Sequence, residues 1–301
     1  KAMKSSKQPE RMVLENNGNP GRFKRFLMGV PISAWMILFV LLPLFIALRY
    51  SFYLKVGGQI DQSAFSADNY IEFFTNPIYI PIFIKTLLYS LLVAGIALGL
   101  GYPLAYFVSR KMKRFRNQAY LMVLVPLWVS YLVRIIAWRT ILGKVGLINS
   151  VLMGLGIVQE PVSWLIYSPF AVVITLVHLT LPFVFIPIFN SLEKIPKNLL
   201  SAASDLGANS RRTFTNVIFP LSLPGVLNGF TMAFVIALGD YIIPKQLGGT
   251  SMTMMGSLIA DQFGNAYNWP LGSALGFILF TVAIVILALS TKLTKSEGNL
   301  E

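Results

Sequence analysis

The sequence predicts an all-α membrane protein with six transmembrane helices. Three observations carry that expectation. Hydrophobic residues make up 55% of the 301 and charged residues only 12%, with a mean hydropathy of +0.67. A water-soluble domain carries about 25% charged residues, so much of the polar surface needed against water is missing. Six continuous apolar runs each approach the roughly 20 residues that a helix needs to cross a bilayer core. The basic residues behind the net charge of +13 cluster between those runs, as membrane flanks do.

The runs are Leu27–Leu48, Thr86–Val108, Tyr120–Leu142, Tyr167–Phe189, Pro224–Ile243 and Gly272–Thr291. They are continuously apolar instead of alternating, which favours helices over a β-barrel. Pro43, Pro103, Pro126 and Pro182 fall inside them and are tolerable where neighbouring helices satisfy the freed backbone groups. Residues 27–291 read as one six-helix transmembrane domain. Residues 1–26 read as a polar tail, disordered at its start, and 292–301 as a second tail. The first run is preceded by about 25 mostly polar residues and followed by no small-residue cleavage site, so it reads as a retained span.

Orientation follows from Lys and Arg. Of the 25, 18 lie before the first run, in Arg110–Arg116, in Asn190–Asn216 or in the last tail. The positive-inside rule places those segments and both termini in the cytoplasm. On the other side, Phe65–Tyr79 reads as a short helix capped by Ser66 or Asp68, carrying Tyr70, Phe73 and Phe74 along the membrane surface. The pairs Gly95/Gly99, Gly225/Gly229 and Gly272/Gly276 predict close helix approach within one bundle.

The loop between the fourth and fifth runs holds the sharpest local signals. Pro196 and Asn198 start a short helix through Leu199–Leu206, and Gly207 supplies the left-handed stop. A second short helix begins near Ser210, broken by Pro220 and Pro224, so two helices at an angle are expected. Ala202, Ala203 and Ser204 offer a small-residue surface suited to a protein groove.

This loop resembles that of the permeases of ABC importers. Their pattern is Glu-Ala-Ala, three residues, Gly, nine residues, Ile/Val, any residue, Leu/Phe, Pro. Here it reads Ser201-Ala202-Ala203, Gly207, Val217, Phe219 and Pro220. The resemblance implies a type I ABC importer permease fold and a coupling helix that docks on an ATPase through Ser201, Ala202, Ala203, Asp205, Gly207 and Pro220. Where the family carries Glu this chain has Ser201, so a charge-assisted contact there is not carried over. Ala67-Asp-Asn-Tyr70, Gly101-Tyr-Pro-Leu-Ala-Tyr106, Pro126-Leu-Trp128, Leu132-Val-Arg134, Gly239-Asp-Tyr-Ile-Ile-Pro244, Leu247-Gly-Gly249 and Trp269-Pro-Leu-Gly-Ser-Ala274 are similar to the B-type permeases of spermidine/putrescine importers. Branches for sulfate-like anions or ferric iron share the architecture and stay open as alternatives.

By the same resemblance the partners are two ATPase copies, a second and different permease, a binding protein, membrane lipid and a polyamine or other small solute. The place is a bacterial inner membrane. No nucleic acid is expected, and no enzyme activity. The chain has no G-x-x-x-x-G-K-[ST] phosphate loop, so it should bind no cofactor itself, with ATP and Mg on the partner ATPase. It has no cysteine and one histidine, which argues against a metal site or a thiol nucleophile. An ion-coupled carrier is the rival class; it predicts intramembrane acids or broken helices arranged as inverted repeats, and the acids here avoid the span centres, which weakens it.

Candidate pathway residues are the polar and aromatic groups in the outer halves of the spans. Trp128, Tyr131, Arg134 and Trp138 are spaced to share one helix face, where aromatic rings can hold an organic cation. Arg134 is expected to pair with Asp240. Asp240 and Tyr241 are the leading candidates for a cation route, and Asp261 and Trp269 for the outer mouth. His178 is expected to make a helix–helix hydrogen bond.

Overall fold

The computed structural model describes residues 30–63 and 65–298. The expected tail over 1–26 and the end of the last tail lie outside them. Six helical segments among the described residues are long and apolar enough to cross a membrane. The first, α1 (Val30–Tyr50), belongs through Ala47 to one compact unit; everything from Leu48 onward forms the other. α1 passes through Pro43 with a π turn at Ile37–Leu41. Proline 43 has no N–H to offer the carbonyl of Phe39 four residues back, and the helix widens over that carbonyl instead of breaking.

Within the second unit a two-stranded hairpin follows, β1 (Leu54–Val56) and β2 (Gln59–Asp61), with Val56 opposite Gln59. Gly57 and Gly58 both take positive φ, +59° and +86°, as the tight turn that suits paired strands requires. This hairpin was not foreseen, although a Gly-Gly pair between short runs is a recognised signal. α2 (Asp68–Thr75) carries Tyr70, Phe73 and Phe74 as expected, and Ser66 Oγ accepts from the Asp68 N–H at 3.1 Å. It is not simply laid on the lipid surface. Phe73 is buried, and Asn69 Nδ2 donates to the carbonyls of Ser51 and Tyr53 at 2.9 and 2.7 Å, so one face is sewn to the protein.

The core is built by α3 (Tyr79–Lys111), α7 (Pro169–Lys194) and α9 (Ser210–Gly239). In α7, Leu176, Phe185, Ile188 and Leu192 are fully buried. Val184 shows why glycine sits opposite it on both sides. A Cβ at Gly101 of α3 would lie 2.9 Å from Val184 Cγ1, and one at Gly229 of α9 would lie 2.9 Å from the Val184 carbonyl. At Gly225 it would lie 2.5 Å from the Pro187 carbonyl. Lipid offers no hydrophobic drive between helices, so backbone approach of this kind supplies the packing. The Gly225/Gly229 pair thus behaves as expected. The others differ: Gly95, Gly99 and Gly276 face no neighbouring atom within 4 Å among the described residues, and Gly272 alone meets Gln262 and Phe263.

One expected continuity and one expected break fail. The third run is not one span over Tyr120–Leu142 but α4 (Arg116–Trp128) and α5 (Tyr131–Leu142), separated by extended Val129 and Ser130. Pro126 lies two residues before the stop and weakens that turn. The stretch long and apolar enough to span runs Tyr131–Gly154, through a tight turn at Gly143–Gly146 into α6 (Leu147–Gly154). Conversely, α9 is not broken by Pro220 or Pro224. It runs unbroken from Ser210 with a π turn at Phe214–Ile218, which covers the Asn216 carbonyl that Pro220 cannot meet. The second short helix of the loop is therefore the start of α9. The chain ends with α10 (Ile242–Leu247), α11 (Met255–Gly264) and α12 (Trp269–Gly298).

Candidate functional site

Two regions hold the candidate residues. The first is α8 (Lys197–Asp205), the short helix of the loop between α7 and α9. None of its residues is buried. Its end is a complete left-handed cap: Gly207 takes φ +80°, its N–H donates to the Ser204 carbonyl at 2.9 Å, and the Ala208 N–H reaches back to Ala203 at 3.0 Å. These bonds satisfy carbonyls that the helix end leaves open. Asn209 Oδ1 then accepts from the Arg212 N–H at 2.9 Å and starts α9. Open space surrounds Gly207 among the described residues, so the left-handed conformation, not crowding, demands glycine there.

The stem of α8 is held. Arg110, in the last turn of α3, donates to the carbonyls of Leu192 and, at 3.1 Å, Ile195, at the C-terminal end of α7 where a cation is favoured. Arg116 pairs with Glu193. Leu200, half-buried, packs on the core, and Phe214 sets its ring edgewise against Tyr102 and Tyr106 at 5.9 and 5.8 Å. Tyr102 Oη and Ser222 Oγ are 3.0 Å apart, tying α3 to α9. The free side of α8 carries Ser201, Ala202 and Asp205, with Ala203 half-buried and Pro220 exposed on the first turns of α9.

The second region lies at the break between α9 and α10. Asp240 is extended, 8% exposed, and both its oxygens are used. Oδ1 accepts from the Ile243 N–H at 2.9 Å, and Oδ2 accepts from the Tyr131 hydroxyl of α5. α11 closes over the same break. A Cβ at Gly256 would lie 2.7 Å from the Asp240 carbonyl, and Ser257 Oγ donates to the Tyr241 carbonyl at 3.1 Å. Met255 N–H donates to Thr86 Oγ1 of α3 at 2.9 Å, fixing α11 in turn. Gly256, Ser257 and Thr86 carried no local signal, because their roles exist only once distant helices meet.

The expected ion pair of Arg134 with Asp240 is not formed. Tyr131 and the Ile243 amide occupy the carboxylate, and the Nε and Nη1 of Arg134 are buried with no hydrogen-bond partner among the described residues. Nor do the four span residues share one face. Tyr131, Arg134 and Trp138 follow one another along α5, whereas Trp128 lies beyond the break and is 75% exposed. Trp138 Nε1 donates to His178 Nδ1 of α7 at 3.1 Å, which is the helix–helix bond expected for His178. Tyr241 is exposed beside Asp240. Asp261 pairs with Lys245 at 2.6 Å and accepts from Asn265 Nδ2 at 2.8 Å, and Trp269 lies 6.2 Å from the rings of both Tyr50 and Phe263. No cluster of three or more His, Cys, Asp or Glu able to hold a metal occurs among the described residues.

Residues 97–295 match the family described as binding-protein-dependent transport system inner membrane component. The chain is 32% identical to the spermidine/putrescine transport system permease protein PotB of Haemophilus influenzae, over 93% of this chain and 98% of that one. It is 33% identical to PotB of Escherichia coli K12, over 85% and 92% respectively. In fold it is similar to a chain of a bacterial ABC transporter that imports the acidic polysaccharide alginate, with a TM-score of 0.71 at 17% identity, covering 91% of this chain and 96% of that chain. Six membrane-length helices, an exposed helix between the fourth and fifth, and a family match over two thirds of the chain lead to one assignment: this protein belongs to the inner-membrane permease subunits of binding-protein-dependent ABC importers.

Proposed function

We propose that the chain is the permease through which such an importer moves spermidine, putrescine or a related organic amine into the cytoplasm. The observation that carries this reading is the likeness to spermidine/putrescine permeases over nearly the whole chain. ATP hydrolysis belongs to a separate subunit of these systems. In the proposed assembly two ATPase copies bind ATP and Mg, a second and different permease lies beside this one, and a binding protein delivers the solute from outside. Both termini are cytoplasmic.

α8 is the element that docks on the ATPase. Ser201, Ala202 and Asp205 face outward, Ala203 and Gly207 permit close approach, and Pro220 lies on the first turns of α9, which carry motion into the bundle. Alternating access follows when ATP-driven closure moves that stem. On the outer side Asp240, Tyr241 and Tyr131 form the acidic and aromatic station of the route, with Trp128, Arg134 and Trp138 along its wall. Asp261 and Trp269 belong to the outer mouth. Asp240 is available to a cation only when Tyr131 releases it, so the station is closed in this conformation.

A second reading, a sulfate-like anion as solute, is favoured by one observation: two buried guanidinium nitrogens of Arg134 have no hydrogen-bond partner among the described residues. The experiment is to reconstitute the complete complex and add binding protein loaded with spermidine, putrescine, sulfate or ferric iron. Spermidine or putrescine should raise ATP hydrolysis several-fold over the unloaded binding protein. Stimulation by sulfate alone would transfer the assignment to the anion.

A further inference from the structure

We propose that the cleft at the foot of α8 holds the phosphate headgroup of an anionic phospholipid from the cytoplasmic leaflet. The cleft is about 850 Å³ and lies where α3 and α7 end and α4 and α8 begin. Its rim carries Lys111, Lys113 and Lys197, with Arg110 and Arg116 behind them. Among the described residues Glu193 is the one acid that lines it, and Glu193 is committed to Arg116. Arg110 is committed to backbone carbonyls, and the Nε of each arginine stays buried without a partner among the described residues. The three lysines have no ion-pair partner among the described residues.

Positive-inside bias alone would scatter lysines over the surface. Here five cations converge on one concavity, and Tyr106, Met112, Leu200 and Ile218 supply an apolar floor beneath them. A cationic rim over an apolar floor at the end of membrane spans fits an amphiphile: the phosphodiester on the lysines, the glycerol and first acyl carbons below. Basic pockets between helices on the cytoplasmic side are recognised headgroup sites. The proposal rests on the cytoplasmic placement of this loop. Since α8 forms one wall, a bound lipid would brace the coupling helix against α3 and α4.

The test uses the whole importer in nanodiscs, prepared from phosphatidylcholine alone or mixed with phosphatidylglycerol. Native mass spectrometry of the released complex reads retained lipid, a readout independent of which solute is carried. The wild type should retain phosphatidylglycerol selectively. Each lysine near an anionic surface contributes roughly fivefold in affinity, so Lys111→Gln with Lys113→Gln should weaken retention roughly 25-fold, and Lys→Arg at both positions should restore it. Neither substitution touches α8. Retention unchanged in the Gln variant would overturn the proposal. So would displacement of the lipid by inorganic phosphate, which marks a soluble-anion site, or loss of the ATPase from the Gln variant in phosphatidylcholine discs, which marks a docking surface. The chain has no cysteine, so Lys113→Cys labelled by an impermeant maleimide in oriented vesicles tests the cytoplasmic placement separately.

Discussion

The α8 loop and the Asp240 break are both interruptions of helix, and they are held in opposite ways. α8 has no buried residue, and its end is shaped by bonds within about six residues, the Gly207 and Asn209 caps; the one long-range support is the Arg110 clamp on its stem. At the other break Asp240 is buried, and its setting is shaped by residues of other helices, Tyr131 of α5 and Gly256 of α11. One, on the proposed reading, is a part that meets another protein without deforming. The other is a part whose shape is the packing itself. Substitutions at the first should therefore disturb coupling and leave stability nearly intact, while substitutions at the second should disturb both together.

The largest expected effect is at Asp240. Asp240→Ala leaves the half-buried Tyr131 hydroxyl and the buried Ile243 amide without their acceptor, at a cost of about 2–4 kcal/mol. Thermal unfolding in detergent should shift down markedly, and transport should be lost with it. A variant that transports poorly but unfolds like the wild type would break the comparison, because Asp240 would then act only on the solute. Next is Gly207→Val. A β-branched residue at φ +80° is strained by about 1–3 kcal/mol, and the helix end must rearrange. The strain is confined to an exposed tip, so the unfolding midpoint should move little. Substrate-stimulated ATP hydrolysis should fall by tenfold or more. Wild-type coupling in this variant would count heavily against α8 as the docking element.

A smaller effect separates the two oxygens of Asp240. Tyr131→Phe removes one hydroxyl bond and keeps the ring, and a net hydrogen bond to a charged group is worth about 1.5–3 kcal/mol. The Ile243 amide still holds the other oxygen. If Tyr131 serves as the latch of the station, the apparent KM for the solute should fall while the maximal rate drops. A variant altered only in stability would reduce Tyr131 to packing.

This difference in support also decides what the sequence could disclose. The α8 start at Pro196 and the Gly207 stop follow local rules, and they were legible; the spacing to Pro220 was legible only as a family resemblance. The π turns at Pro43 and Pro220 were not, because whether a proline breaks or widens a helix depends on whether its surroundings keep the helix together. The Trp128–Trp138 face was misjudged for a related reason. Periodicity assumes one continuous helix, and Val129 and Ser130 interrupt it. Asp240 was singled out as an acid in an apolar setting, yet its partner was named as Arg134. Charge suggests an arginine, whereas the fold brings a tyrosine and an amide within reach.

The smallest expected effect sharpens the comparison most at the α8 side. Ser201 replaces the glutamate of the family pattern, and its hydroxyl does no more than reach back to the Lys197 carbonyl at 3.4 Å. Ser201→Glu sits on an exposed face, so stability should stay within about 0.5 kcal/mol of wild type. Placing Glu four residues after Lys197 is the weaker order for a helical ion pair, worth only a few tenths of a kcal/mol. Any change in coupling must then come from the ATPase. Titrating the ATPase onto the reconstituted permease pair measures it directly. Tighter binding means that the groove retains a cation for the family's glutamate; weaker binding means that the groove has adapted to serine, and that a single exposed residue of α8 tunes the union without any support from the membrane bundle.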